Sequence, residues 1–127
     1  MFGSLEVFQT ASSMMRHAGD RQALVARNIA NADTPGYKAE AIASFRETYR
    51  AGSDFGLKAT RAGHLGGDSL AGRAAVRERA TEPSVNGNTV SLEQEMLAAV
   101  EVQREHNRAI TIYKHSLDVL RMSLGRR

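Results

Sequence analysis

The stretch ARNIANADTPGYK, residues 26–38, separates two kinds of sequence, a continuous helical pattern before it and a glycine-rich middle after it. Pro35 pushes the residue before it out of the helical region, so the helix must end before Thr34. The run Thr34-Pro35-Gly36-Tyr37 predicts a β-turn, because Pro presets φ at its second position and Gly supplies a positive φ at its third. We expect Asn31 to end the helix in a left-handed conformation.

The sequence before this turn predicts one long amphipathic helix, from about residue 5 to residue 31. It contains no proline and one internal glycine, Gly19, which marks either a close helix approach, the interpretation that we favour, or a point of bending. Apolar residues recur at intervals of seven, the pattern of a helix that packs lengthwise along another. One position of the repeat holds Phe8, Met15, Gln22 and Ile29, and the position three residues later holds Ala11, Ala18, Val25 and Ala32.

A second long helix is predicted from Ser91 onward. Ser91 and Gln94 have the spacing of a capping box, in which each side chain binds the main chain at the helix start. Polar Gln103 and His106 interrupt the apolar repeat, as Gln22 does in the first helix, and we expect some of these three to meet across helices and fix their register. One repeat position holds Met96, Gln103, Ile110, Leu117 and Leu124. The other position holds Leu92, Ala99, His106, Tyr113 and Leu120.

The middle of the chain has weaker patterns. Residues 39–50 predict a short helix, with Ile42, Phe45 and Tyr49 on one face. Residues 55–60 and 74–77 are weak strand candidates between glycines. Asn86-Gly87 predicts a second tight turn shortly before the last helix.

These patterns predict a mainly α fold. Its long N- and C-terminal heptad helices pack as an antiparallel coiled-coil-like pair, and the irregular middle carries a short helix and short strands. We divide the chain into an N-terminal helix (1–32), a middle segment (33–90) and a C-terminal helix (91–127), which together form one structural domain. A two-helix hairpin is marginal by itself, so we expect the chain to be a building block of an assembly.

The composition argues against several classes of function. The chain of 127 residues contains no cysteine, which excludes disulfides and thiolate metal sites, and none of its four histidines has a second histidine three or four residues away. No residue stands in a nucleophile motif, so we expect no enzyme and no cofactor. The formal charge of +3 leaves open a nucleic-acid-binding module, although no basic stripe is visible. We see no membrane span and no cleaved signal peptide.

The first turn also carries a family resemblance. Asn28, Ile29, Ala30 and Asn31, followed by Thr34, Pro35, Gly36, Tyr37 and Lys38, resemble the N-terminal signature of the flagellar rod and hook family of axial proteins. Two further segments, residues 57–65 and 86–96, resemble the proximal-rod members of that family. Ser91 stands where an Asp is common in the family, and both residues cap helices.

The resemblance implies a structural subunit of the flagellar basal-body rod. It implies that the terminal helices line the export channel, and that the middle packs outward or against neighbours. The implied partners are other copies of the chain, homologous rod proteins, the rod adaptor and membrane-ring proteins, and the flagellar type III export gate. No nucleic acid or small-molecule substrate is implied, and the implied location is the periplasmic part of the basal body. A soluble secretion chaperone remains the alternative from another class.

The assembly surface expected from this resemblance is the helical seam. It comprises Phe8, Met15, Gln22, Val25 and Ile29 of the first helix, and Leu92, Met96, Gln103, His106, Ile110, Tyr113, Leu117, Leu120 and Leu124 of the second.

Overall fold

A computed structural model describes residues 2–53 and 75–125. Two long helices dominate it: α1, Phe2–Ala30, and α3, Leu92–Leu124. The start of α1 meets the second half of α3 where the rings of Phe8 and Tyr113 pack with centroids 4.5 Å apart. Further along α1, Arg21 reaches back to Glu105. The two helices therefore run antiparallel, which confirms the predicted fold class.

Small residues occupy the centre of this helix pair. Ala11, Ala18 and Val25 of α1 are buried, as the heptad repeat predicts, and on α3 the buried residues are Glu95, Val102, Ala109 and Ser116. We name these four residues the core stripe of α3. Each of them comes one residue before a member of the predicted repeat that begins at Met96. Small side chains at a helix contact let two axes approach closely, and larger side chains then lie on its flanks.

The described part of the middle segment, residues 33–53 and 75–90, contains a two-stranded sheet and one helix beside the helix pair. Strand β1, Glu40–Ile42, pairs antiparallel with β2, Val76–Glu78, so that Ala41 lies opposite Arg77. Helix α2, Phe45–Ser53, follows β1. The strand candidate at residues 74–77 is confirmed in part, because β2 begins at Val76, and the candidate at residues 55–60 lies outside the described residues. The predicted helix begins six residues later than expected, because Glu40, Ala41 and Ile42 pair with β2 instead.

Three local predictions about the long helices are wrong. Asn31 does not have a positive φ; it continues the helical turn, with its N–H donating to the carbonyl oxygen of Arg27 at 3.1 Å. Ser91 is the N-cap of α3, but its side chain makes no capping hydrogen bond, so no capping box forms. Gly19 is exposed, and a Cβ built on it would meet no atom within 4 Å, so it is not a point of close helix approach.

Candidate functional site

The end of α1 is attached to the middle segment by one buried asparagine. Asn28 is completely buried, and its Nδ2 donates to the carbonyl oxygen of Glu40 at 2.7 Å. Its Oδ1 accepts the N–H of Glu40 and the hydroxyl of Tyr37, each at 3.2 Å. One side chain thus satisfies both main-chain groups of Glu40 and fixes the path of the chain from the helix into β1.

A second asparagine holds the end of α1 from the far side of the middle segment. Asn88 is 3% exposed, and its Nδ2 lies 2.8–2.9 Å from the carbonyl oxygens of Asn31, Ala32 and Thr34. Its Oδ1 accepts the N–H of Val90 at 2.7 Å. The two hydrogens of this amide are shared among the three carbonyl groups. Asn88 therefore holds the chain that follows α1, from a position four residues before α3.

The two predicted turns meet each other. Both glycines have a positive φ, 73° at Gly36 and 82° at Gly87, and the N–H of Gly36 donates to the carbonyl oxygen of Asn86 at 3.0 Å. A Cβ at Gly87 would lie 3.5 Å from the Cα of Gly36, so the two backbones are in close contact. The turn at 34–37 is closed by the N–H of Tyr37, which donates to Thr34. Both turn predictions are confirmed.

Main-chain bonds extend this contact along the segment that leads to α3. The N–H of Thr89 donates to the carbonyl oxygen of Tyr37 at 3.0 Å, and the hydroxyl of Thr89 accepts the N–H of Ala39 at 2.7 Å. The N–H of Arg79 donates to Ala39 at 2.7 Å. Residues 28–40 and 79–90 together form what we name the junction, which joins the end of α1 to the start of α3.

An ion pair attaches the junction to the core stripe of α3. Glu95 is fully buried, and its Oε1 accepts a hydrogen bond from Nη1 of Arg79 at 2.7 Å. Its Oε2 is buried without a hydrogen-bond partner among the described residues. Because a buried carboxylate is costly without a cation, Arg79 is what makes Glu95 tolerable in the core stripe.

Helix α2 packs against α1 through a buried histidine. His17 is 7% exposed, neither of its ring nitrogens has a hydrogen-bond partner among the described residues, and its ring meets Phe45 edge-on at 5.5 Å. Burial lowers the pKa of His17 below its usual 6.5, and the positive charge of Arg21 lowers it further. The negative charges of Glu105 and Asp20 oppose that shift without reversing it. The neutral imidazole is therefore the form that the fold favours.

The middle segment contacts one flank of the helix pair, through His17 and Asn28 of α1, and these contacts leave the other flank uncovered. The buried stripe of α1 consists of Ala11, Ala18 and Val25. His17 comes one residue before Ala18, and Asn28 comes three residues after Val25, so both lie on the same side of this stripe. The other side of the stripe holds the residues that come three positions before or four positions after one of its members, which are Phe8, Met15, Gln22 and Ile29. The polar contacts of the middle segment with α1 therefore lie on the flank opposite these four residues.

The predicted seam of α3 lies on that same open flank. Phe8 packs on Tyr113, so the stripe from Phe8 to Ile29 lies beside the α3 stripe at Leu92, Ala99, His106, Tyr113 and Leu120. The stripe that begins at Met96 lies about 100° around α3 from the core stripe, next to the Leu92 stripe. We name this flank the lateral edge: Phe8, Met15, Gln22 and Ile29 of α1 with Leu92, Met96, Ala99, Gln103, His106, Ile110, Tyr113, Leu117, Leu120 and Leu124 of α3.

The predicted seam residues differ in burial. Val25 belongs to the core and is buried. Seven others are half-buried on the flank: Phe8, Met15, His106, Ile110, Tyr113, Leu117 and Leu120. The remaining six are exposed within the single chain: Gln22, Ile29, Leu92, Met96, Gln103 and Leu124. The role of these residues in assembly stays a prediction.

Two of the polar seam residues, Gln22 and Gln103, do not meet across the helix pair within the single chain. Gln103 donates to Asn107 on its own helix at 3.4 Å, and Gln22 is exposed. The register contact is instead Arg21 with Glu105, whose Nη1 and Oε2 are 2.6 Å apart in a partly buried position. No periodic pattern points to this pair, because both residues lie on the opposite flank from the lateral edge.

The signature residues divide between structure and surface. Asn28, Gly36 and Tyr37 take part in the junction as described above. Asn31 donates from its side chain to the carbonyl oxygen of Arg27 and accepts from the hydroxyl of Thr34. Ala30, Pro35 and Lys38 are exposed. The sequence reading missed the roles of Asn88, Arg79 and Glu95; the one available signal was a glutamate at the seven-residue spacing of Val102, Ala109 and Ser116.

Two further classes of site have no counterpart in residues 2–53 and 75–125. No group of three or more metal-binding side chains is brought together there. No helix in these ranges is long and apolar enough to cross a membrane.

Comparison with known proteins identifies the family. Residues 8–38, which run along α1 and through the first turn, match the family described as flagella basal body rod protein. The flagellar basal body rod protein FlgB of Agrobacterium fabrum is 30% identical over 127 residues, covering 96% of this chain and 95% of that protein. The chain belongs to the FlgB family of flagellar basal body rod proteins.

A second relative supports the family assignment. FlgB of Cereibacter sphaeroides is 41% identical over 83 residues, 64% of each chain. The family is one of structural rod proteins and not of enzymes. Neither the nucleic-acid-binding module nor the secretion chaperone is favoured by any of these comparisons.

Proposed function

We propose that this chain is a subunit of the proximal rod whose two terminal helices act together as one assembly unit. The lateral edge binds neighbouring rod subunits, and the junction fixes the direction in which the middle segment leaves the helix pair. Assembly into the rod then completes the burial that the single chain leaves unfinished along this edge.

One observation carries the proposal: the apolar repeat of α3 and its buried core stripe lie on different positions of the helix. Burial in α3 centres on Glu95, Val102, Ala109 and Ser116. The larger side chains of the repeat lie on the lateral edge, where Leu92 and Met96 are exposed. A seven-residue apolar repeat indicates a helix that packs along a partner. Since α1 occupies the core stripe, the repeat is available to another chain.

The chain's place in the cell follows from the same proposal. As a member of the rod family it assembles with other flagellar rod components in the basal body. We extend this to the rod adaptor, the membrane-ring proteins and the type III export gate as partners, and to a periplasmic position reached through the export apparatus. The absence of cysteine is compatible with such a route because no disulfide has to form on arrival.

Two measurements test the proposed function. Basal bodies purified from the native host should contain the chain. Purified basal bodies without the chain would overturn the proposal. In a strain that lacks the native copy, Leu117→Asp or Leu120→Asp should abolish incorporation into the rod while the protein is still expressed. Normal swimming of either variant would show that the lateral edge is not the assembly surface.

A further inference from the structure

Charge is segregated along the surface of α3. From residue 91 to residue 103 the sequence has no Lys or Arg, and Glu93 and Glu101 are exposed. From residue 110 to residue 127 there are four basic residues and one acidic residue, Asp118. Lys114 and Arg121 in this part are exposed. The helix therefore has an acidic end beside the junction and a basic end at the opposite end of the pair.

Each end also exposes large apolar side chains. At the acidic end these are Leu92, Met96, Leu97 and Val100, with Leu97 72% exposed. At the basic end they are Val119, Met122 and Leu124, with Leu124 74% exposed. Both groups would lose contact with water if another surface covered them, at a gain of about 25 cal/mol per Å² of apolar area.

The two ends cannot neutralise each other within one chain. Met96 and Met122 are 26 positions apart on one helix, which corresponds to about 39 Å at about 1.5 Å per residue. The screening length in physiological salt is about 8 Å. Glu101 lies 3.9 Å from Arg21, and Arg121 lies 3.9 Å from Asp118. Because Glu101 and Arg121 are 64% and 78% exposed, these local contacts are screened by water, and the charges at the two ends remain accessible to neighbours.

We propose that the acidic end of α3 in one copy binds the basic end of α3 in a second copy of this chain. The inference rests on the proposed function and adds a direction to it. The apolar groups supply the contact, and Glu93 and Glu101 facing Lys114 and Arg121 select the orientation. Because the two surfaces differ, the contact is heterologous, and repetition of such a contact builds rings or open helical arrays.

Contacts between like ends are disfavoured by the same charges. Two acidic ends would bring four exposed carboxylates together, and two basic ends would bring together the exposed Lys114 and Arg121 of both copies. A closed two-fold dimer through either end would therefore have to overcome repulsion. The charge pattern selects growth by addition over closure as a dimer.

A mixing experiment tests this polarity with two charge-reversed proteins. One variant carries Glu93→Lys and Glu101→Lys, and the other carries Lys114→Glu and Arg121→Glu. Glu101 is 3.9 Å from Arg21 but 64% exposed, and Arg21 keeps its 2.6 Å contact with Glu105, so the helix pair should persist. Circular dichroism of each variant checks that it does. Self-association of the full chain is measured by sedimentation velocity at low salt and at about 1 M salt, where the screening length is about 3 Å.

The expected result is that each variant alone associates at least about tenfold more weakly than the native chain, about 1.4 kcal/mol at 25 °C. An equimolar mixture should recover most of the association, because each reversed end then finds a complementary end. High salt should weaken the native association and abolish the recovery. Unchanged association of the single variants, or no recovery on mixing, would overturn the proposal.

The outcome separates this inference from the proposed function on which it rests. If both charge variants enter basal bodies normally while Leu117→Asp does not, the polarity is wrong and the rod assignment stands. If the native chain is missing from basal bodies, the rod assignment fails whatever the mixing experiment shows.

Discussion

The junction and the lateral edge use opposite physical strategies. The junction is polar, and the side chains of Asn28 and Asn88 have partners inside the same chain. The lateral edge is largely apolar, and Met96 is 64% exposed. Closing the junction needs no other molecule, whereas burying the edge does. The comparison teaches that changes in the junction should act on folding, and changes in the edge should act on assembly.

The largest effect is expected from breaking the buried ion pair of the junction. Arg79→Met leaves the fully buried Glu95 without its cation and should lower the free energy of unfolding by about 3 kcal/mol. Urea denaturation measures this. The double variant Arg79→Met/Glu95→Met should recover most of the loss, because two apolar side chains replace the pair. Arg27→Met is the matched control, since Arg27 is 64% exposed and 3.4 Å from Glu40. An equal loss in this control would contradict the account.

A somewhat smaller effect is expected at Asn88. Asn88→Ala removes the donor to the three carbonyl groups at the end of α1 and should cost about 2 kcal/mol. Asn107→Ala makes the same chemical change at an exposed position of α3 and should cost less than about 0.5 kcal/mol. Hydrogen exchange should locate the loss at residues 28–40. Equal unfolding free energies for the two variants would show that Asn88 does not hold the end of α1.

The two glycines Gly36 and Gly19 give a matched pair. Gly36→Ala should destabilise the chain by about 1–2 kcal/mol, because φ is 73° there although a Cβ would meet no atom within 4 Å. Gly19→Ala should instead stabilise it by up to about 1 kcal/mol, since Gly19 lies in the interior of α1 with open space around it. Thermal unfolding distinguishes the two signs. Destabilisation by Gly19→Ala would mean that a neighbour does approach α1 at this point.

The smallest effect concerns pH. His17 has a pKa lowered by burial, so the unfolded chain binds a proton more readily than the folded chain does. The contribution of His17 is fully present above pH 6.5 and is lost as pH falls below that value. His17→Leu should therefore flatten the dependence of unfolding free energy on pH below 6.5. Unfolding free energies measured by urea denaturation across this pH range check the prediction, and an unchanged slope in His17→Leu would refute the assignment.

The long helices and both turns follow from the sequence, because their signals are local. Pro35, Gly36 and Asn86-Gly87 restrict the backbone by themselves, and the heptad repeat extends over each long helix. The position of the core stripe does not follow, since a repeat of large side chains does not say whether they face the same chain or a neighbour. In α3 the small residues Ala109 and Ser116 face α1, and the large ones remain on the flank.

The junction is harder to predict because its contacts join residues far apart in the chain. Asn88 binds carbonyl groups 54–57 residues earlier, and Arg79 binds Glu95 across the second turn. Two of the segments that resemble the rod family, around residues 28–38 and 86–96, point to these regions separately. Their meeting depends on the antiparallel return of the chain, which local patterns do not specify.

The most direct test of the central claim is Met96→Asp, measured in two ways on the same protein. The account predicts that the unfolding free energy of the isolated chain changes by less than about 0.5 kcal/mol, because Met96 is exposed, while the variant is absent from purified basal bodies. Ala23→Asp places the same charge on the exposed side of α1 away from α3 and should be incorporated normally. Incorporation of Met96→Asp at the native level would contradict the account.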